Sequence, residues 1–417
     1  MALLWAAPGW ATDLRLALGA QGEYDSNVYR REEKIRDDFV ILGIPSLELL
    51  ETEGKFTYDV GYEFPYQRSI KTNALRSFNH LARIGADYHL SDRTQFSFSN
   101  RFSYVEALSN NNENDTPTIA DNETDQEVLR NRATFHTEHR FTPRLANDTN
   151  FTQAVYYTTQ DNRSDNQSYG LATGLHYDLT ERQTLGGGVQ TTYQNFENAY
   201  DLFTSSCGGI QPPTTVVREQ IPESQTIFVG PYAAWSYRID EQSQFRISGG
   251  PTYVHSEQDS FFDGCNQQRS DSDDRIAFLG QFSVDRRWSP TMASGFSYQR
   301  HQDTASGVAG SAILDAVALT HTWMPAERWT LALRGDWTQR KSATNINQSI
   351  RNEDLDTQRW GAGAMLAYKI TRNLTGSVRY QYSKQRSEGN TAGRFSDFDG
   401  HVAALGLNYA LDPIEVW

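Results

Sequence analysis

His136-Thr137-Glu138-His139 gathers two imidazoles and a carboxylate, the residue types that bind zinc. On a strand, successive side chains alternate between faces, so His136 and Glu138 share one side and His139 takes the other. No metal ligand set is predicted from this stretch. The chain also lacks a Gly-x-Ser-x-Gly elbow, a phosphate loop and a paired-cysteine zinc pattern. The nine histidines are scattered. The expectation is a protein that is not an enzyme and needs no cofactor. A barrel lipase with serine and histidine on neighbouring strands is the enzymatic alternative.

Two further groups of side chains have chemical potential. From Glu106 to Glu127 there are seven acids and no Lys or Arg, and Asp271-Ser272-Asp273-Asp274 adds another cluster. Oxygen ligands suit calcium, but neither stretch has the Gly and Glu placement of an EF-hand loop, so solvated acidic loops are expected. Cys207 and Cys265 fall in two consecutive long connections on the same predicted rim. In an oxidising compartment they could pair, and two free thiols are the alternative.

Composition narrows the class of protein that must position these groups. The chain has 417 residues with a net charge of −14, and 12% of its residues are aromatic. An acidic balance argues against a duplex nucleic-acid binder, which needs a basic face. Mean hydropathy is −0.65, and no apolar run is long enough for a helical membrane span. Residues 1–11 (MALLWAAPGWA) read as the end of a secretory signal, with small residues Gly9 and Ala11 before a cleavage site. A buried first strand is the alternative. Residues 12–417 read as one domain.

The dominant pattern is period 2, the side-chain period of a half-buried strand. Phe56, Tyr58, Val60, Tyr62, Phe64 and Tyr66 share one face, opposite Thr57, Asp59, Gly61 and Glu63. Helical periodicity is nearly absent. Connections alternate in length: short ones recur at 51–54, 91–94, 142–144, 180–183, 240–243, 289–291, 325–328 and 371–373. Longer polar ones lie between them, the longest at about 107–126, 200–222 and 257–272. This layout predicts a transmembrane antiparallel β-barrel of about 18 strands, 16 being the fallback, with short periplasmic turns and long extracellular loops. Strand spacing is too wide for a soluble sandwich, whose turn signals come about every 8–12 residues. Aromatic residues flank the tight turns, where a membrane–water boundary suits them. The predicted location is the outer membrane of a Gram-negative bacterium.

In that frame the lumen side carries Arg15, Arg83, Arg101, Arg130, Arg132, Arg238, Arg246, Arg334, Arg359 and Arg379. Acids share it: Glu23, Asp59, Glu63, Asp87, Glu138, Asp148, Asp178, Asp285 and Asp336. One reading is a hydrated passage whose guanidinium forks bind carboxylates or hydroxyls of a passing polymer. The other is that a wide interior must be polar and its charges pair across the wall. Both stay open at this level. No inward-folding loop is assigned, although 107–126 and 200–222 are long enough.

Two resemblances add to this. Gly406-Leu407-Asn408-Tyr409-Ala410-Leu411 resembles the glycine-x-x-aromatic-x-hydrophobic signal read by barrel-assembly machinery, with Gly406, Tyr409 and Leu411 as its key positions; residues 412–417 extend beyond it. Tyr24-Asp25-Ser26-Asn27-Val28-Tyr29-Arg30 resembles the signature of β-barrel porins encoded beside exopolysaccharide (exosortase-type) gene clusters. That second resemblance implies a non-enzymatic channel or channel-like component for export of an extracellular polysaccharide, with the polymer and periplasmic export proteins as partners besides outer-membrane lipid. Within it, Asp25 and Asn27 would face the lumen near the outer rim, either pinning the first loop or touching polymer. A general diffusion porin and a plugged surface-interaction barrel are the alternatives.

Overall fold

A computed structural model describes residues 12–27, 36–52, 54–71, 76–105, 127–158, 165–204, 216–263, 267–303, 312–342, 356–388 and 397–416. It is a closed antiparallel barrel of 18 strands. In chain order they are β1 (Thr12–Asp25), β2 (Asp38–Glu51), β3 (Phe56–Glu63, resuming as Tyr66–Ser69), β4 (Arg76–Phe78, resuming as His80–Ser91) and β5 (Thr94–Val105). There follow β6 (Val128–Arg140), β7 (Leu145–Thr158), β8 (Asp165–Thr180), β9 (Gln183–Thr204), β10 (Val216–Arg238) and β11 (Ser243–Asp263). The last seven are β12 (Gln267–Ser289), β13 (Met292–Asp303), β14 (Ala312–Ala326), β15 (Trp329–Ser342), β16 (Asp356–Lys369), β17 (Leu374–Glu388) and β18 (Phe398–Ala410, resuming as Ile414–Val416).

Each strand pairs with the next, and β18 returns to β1 from Ala17 opposite Ala410 up to Asp25 opposite Val402. Closure removes the unpaired edge that an open sheet would present to lipid. Alternation then sorts the side chains. Leu18, Phe98, Leu171, Leu319 and Leu405 stand exposed on the outer face, while their polar neighbours point inward. A continuous exposed apolar belt of this kind is tenable in hydrocarbon and not in water. Rings collect towards the rim of tight turns: Trp329 lies 4.5 Å from Tyr368, Trp235 stacks on Tyr237 at 5.9 Å, and Arg286 covers Trp288 at 4.2 Å.

The tight turns stand where the spacing placed them. Two of the three longest connections do not: β9 runs on to Thr204 and β10 starts at Val216, while β11 reaches Asp263 and β12 starts at Gln267. Paired strand therefore continues through much of 200–222 and 257–272. Beyond a bilayer both faces of a strand can meet water, so such extensions lack the apolar alternation by which strands are recognised. At the chain's end, Tyr409 and Leu411 lie exposed. The ladder breaks at 411–413, where Pro413 has no N–H to give, and resumes with Ile414–Val416 opposite Thr12–Leu14. Residues 1–11, Val28, most of the acidic segment from 106, and both Cys207 and Cys265 lie outside the described residues.

The Tyr24-Asp25-Ser26-Asn27 segment is part of the closure seam. The Asp25 carboxylate accepts the Asn27 backbone N–H at 2.8 Å, and the Asn27 amide donates to the Asp399 carbonyl at 3.1 Å. The Ser26 hydroxyl accepts the His401 N–H at 2.8 Å, and the Ser26 N–H returns to the His401 carbonyl at 2.9 Å. Tyr24 faces outward against Phe39, ring centroids 5.2 Å apart. Asn27 is fully buried and Asp25 nearly so, so these groups tie β1 to β18 where the barrel closes. The first loop's other end is fastened similarly: Asp38 accepts the Ser69 hydroxyl and the N–H of Ile70 and Lys71. Next to it, the hydrogen bond from exposed Lys71 holds the Asp37 carboxyl below the ordinary carboxylate range. Replacing the fully buried Asn27 with Ala should remove its hydrogen bond to the Asp399 carbonyl and cost about 0.5–1.5 kcal/mol. The expected result is a lower midpoint for the heat-induced mobility shift of the folded barrel in gels; an unchanged midpoint would deny the motif its seam role.

Candidate functional site

Register puts all ten wall arginines on the inner face, and acids meet several of them. Arg15 lies 3.6 Å from Asp13 and 3.9 Å from Glu48; Arg246 lies 3.4 Å from Asp285, Arg334 3.4 Å from Asp336 and Arg379 3.1 Å from Glu23. Arg83 bonds Glu48 and lies 3.5 Å from Asp59. The reach to Glu48 crosses β3 at Gly61, whose missing side chain leaves the path clear; a Cβ there would lie 2.8 Å from Arg83 Nε. Arg130 covers the Tyr156 ring at 5.5 Å. Arg238 sits exposed at the turn rim, and Arg359 is buried towards the loop rim.

The strands also bring together three cations that sequence separates. Arg83 stands directly opposite Arg101, and Arg101 directly opposite Arg132. Like charges so placed repel across the ladder. With strands about 4.8 Å apart, this row presents guanidinium forks spaced across about 10 Å of wall. Arg83, Arg101 and Arg132 are each exposed to the lumen. Such a row suits an anion that can shield all three.

Depth divides the lumen. Towards the turn rim, inner-face residues such as Arg15, Arg246 and Asp285 are open. Nine or more residues from the turn-side ends of their strands, inner-face Gln194, Thr226, Thr252, Thr338 and Gln385 are each 0% exposed. Inner-face side chains are therefore covered in the loop-rim half.

One covering element is visible among the described residues. β13 pairs with β12 only from Met292 to Arg300, while β12 continues from Leu279 up to Gln267 against β11 alone. Above Arg300 β13 parts from β12 and turns inward, while β14 stays paired with β15 up to Ala312 opposite Ser342. Gln302 Nε2 donates to Thr192 Oγ1 at 2.5 Å, although β10, β11 and β12 intervene along the wall between β13 and β9. Opposite Gln302, Ile313 packs on the inner-face residues Phe228, Val254 and Leu279. Ala312, Ile313, Leu314 and Asp315 are all buried, so both faces of β14 are covered there. At the base of the fold, Asp315 accepts Tyr298 at 2.7 Å and Arg300 at 2.9 Å. Neither long segment considered from the sequence supplies this element. Its signal was Ala312-Ile313-Leu314, an apolar run without alternation.

Lower down, β6, β7 and β8 converge a second set. Inner-face His136, Glu138 and Asp148 offer ligand atoms within 4.8 Å of one another, and His176 Nδ1 lies 2.6 Å from Asp148 Oδ2. His139 faces away as strand alternation requires and bonds Thr94 at 3.0 Å. Because the members come from three strands, no one-strand motif could announce them.

Replacing Ile313 with Asp should unseat the β13–β14 fold from its apolar cradle. In planar bilayers, wild-type protein is expected to conduct little and the variant markedly more; equal conductance would show that the element does not gate. The milder pair Gln302→Ala and Ile313→Ala tests the same point if the Asp variant misfolds. On the opened background, Arg101→Glu should shift ion preference towards cations, and unchanged selectivity would remove the arginine row from the conduction path.

No protein-family model matches the chain, and no curated protein is similar to it in sequence. Many solved structures share the barrel architecture. One is Pseudomonas aeruginosa OccK3 (OpdO), 13% identical, with 97% of this chain and 96% of that chain covered and a TM-score of 0.39. A second is the siderophore receptor PiuA from Acinetobacter baumannii, 9% identical, with 94% and 82% covered and a TM-score of 0.48. The ferric citrate transporter FecA is 14% identical with a TM-score of 0.48; 97% of this chain aligns, spanning 64% of FecA. The likeness is one of architecture alone.

Proposed function

We propose that this protein is a non-enzymatic outer-membrane conduit for export of an extracellular polysaccharide, loaded from the periplasm and gated on the outer side. In this reading the turn rim faces the periplasm and the loop rim the medium. The observation that carries it is the asymmetry of the lumen, whose inner-face side chains are open and arginine-rich towards the turns and covered towards the loops, where the β13–β14 pair folds onto the wall. A diffusion porin works with both mouths open. A conduit that must not leak between cargoes needs a gate, and one on the outer side leaves the loading side accessible.

The wall chemistry fits a polymer that moves. Guanidinium forks hydrogen-bond carboxylates and hydroxyls alike. Several of the arginines are already compensated by wall acids, which weakens their hold on cargo. A conduit has to release what it binds, so weak, repeated contacts serve it better than one deep site. The row of Arg83, Arg101 and Arg132 favours cargo with acidic groups.

A clean deletion in the native host, with polysaccharide measured in medium and periplasm, tests this directly. Loss outside with accumulation inside is expected, restored by the wild-type gene and poorly by a copy carrying Arg101→Glu and Arg132→Glu. Unchanged polymer in both compartments would overturn the export role. The opened variant's solute permeability would then decide between a solute porin and a closed surface barrel.

A further inference from the structure

We propose that His136, Glu138, Asp148 and His176 form a binding site for a first-row divalent metal ion of the zinc class, on the lumen wall near the turn rim. The site is assembled by register. Glu138 stands directly opposite Asp148, which stands directly opposite Gly174, while His136 lies one inward position up β6 and His176 one inward position down β8. Two imidazoles thus flank one carboxylate from opposite sides, with His176 Nδ1 2.6 Å from Asp148 Oδ2 and His136 Nε2 3.9 Å from Asp148 Oδ1.

The dimensions fit such an ion. Bonds of about 2.0–2.2 Å to imidazole nitrogen and carboxylate oxygen put tetrahedral ligand atoms roughly 3.4 Å apart. His136, Glu138 and Asp148 offer ligand atoms within 4.8 Å of one another, and His176 Nδ1 lies 2.6 Å from Asp148, separations compatible with that value. Two nitrogens with two carboxylates favour zinc-like ions over magnesium or calcium, which prefer oxygen throughout. Glu138 also receives Arg140 Nε at 2.7 Å, an outer partner that orients the carboxylate.

The surroundings leave the space clear. Along the same row Gly174 faces Gly188, and Gly188 faces Tyr232. With no side chain on the two intervening strands, Tyr232 lies across them and brings its hydroxyl over Gly174, where a Cβ would collide with it. Tyr232 therefore walls the site on the side away from β6. The three ligand-bearing strands are held by continuous antiparallel ladders, so little conformational freedom is lost on binding.

The test is calorimetric titration of the purified, detergent-folded barrel with Zn²⁺, alongside the visible absorption of bound Co²⁺ as a report on nitrogen ligation. One saturable site is expected, weakened at least tenfold by His136→Ala or His176→Ala and abolished by both. Arg101→Glu, outside the site, should leave it intact. If an alanine variant fails the gel test for a folded barrel, His136→Gln and Asp148→Asn take its place. No saturable binding by wild-type protein, or binding that survives the double histidine variant, would overturn the site.

Discussion

A backbone inside hydrocarbon must satisfy every N–H and C=O within the protein, and everything else in this molecule follows from how that is met. The sheet closes on itself, β18 to β1, so the ladder has no free edge. Closure makes the seam structural, and the Asp25–Ser26–Asn27 segment spends its side chains there on the β18 backbone. Register then becomes the means of placing chemistry. A one-residue slip would send every lumen arginine into lipid and every outer leucine into water. The same register aligns Arg83, Arg101 and Arg132 across three strands and gathers His136, Glu138, Asp148 and His176 from three others.

Two forces shape the lumen. Polar side chains in water need no partner, so the turn-rim half tolerates open charges. Away from that rim the side chains are buried, and apolar packing becomes worthwhile: Ile313 on Phe228, Val254 and Leu279 is a small hydrophobic cluster inside a polar barrel. That patch explains why the β13–β14 pair turns in rather than following β12 outward. Four buried residues in succession, Ala312 to Asp315, then make sense. Burial of this small cluster holds the element, with Asp315, Tyr298 and Arg300 fastening its base. A contact of this size is suited to opening.

Much of the architecture was legible in the sequence because period 2 and the short connections are local signals. Phe56 to Tyr66 read as one strand face and did form one, interrupted only at Phe64 and Pro65. The inward direction of all ten arginines followed from the same alternation. What escaped depended on distance or on water. The strand extensions beyond Tyr200 and Glu257 carry no apolar stripe. The fold-in at Gln302 and Ile313 depends on residues about 35 to 110 positions away in the chain. The histidine and carboxylate group was missed because its members are gathered only by pairing. Asp25 and Asn27 were expected to face the lumen near the rim, while their partners on β18 could be known only once the barrel had closed.

The β13–β14 pair folds over the inner face of β10, β11 and β12 to reach β9 in the loop-rim half. Spin labels at positions 302 and 192, in protein whose Cys207 and Cys265 are replaced by serine, measure this most directly. Strong dipolar broadening in the continuous-wave spectrum is expected, since the two native side chains touch. Spectra equal to the sum of the single labels would contradict it. They would place β13 beside β12 in the wall, roughly 19 Å from β9 across four strand spacings.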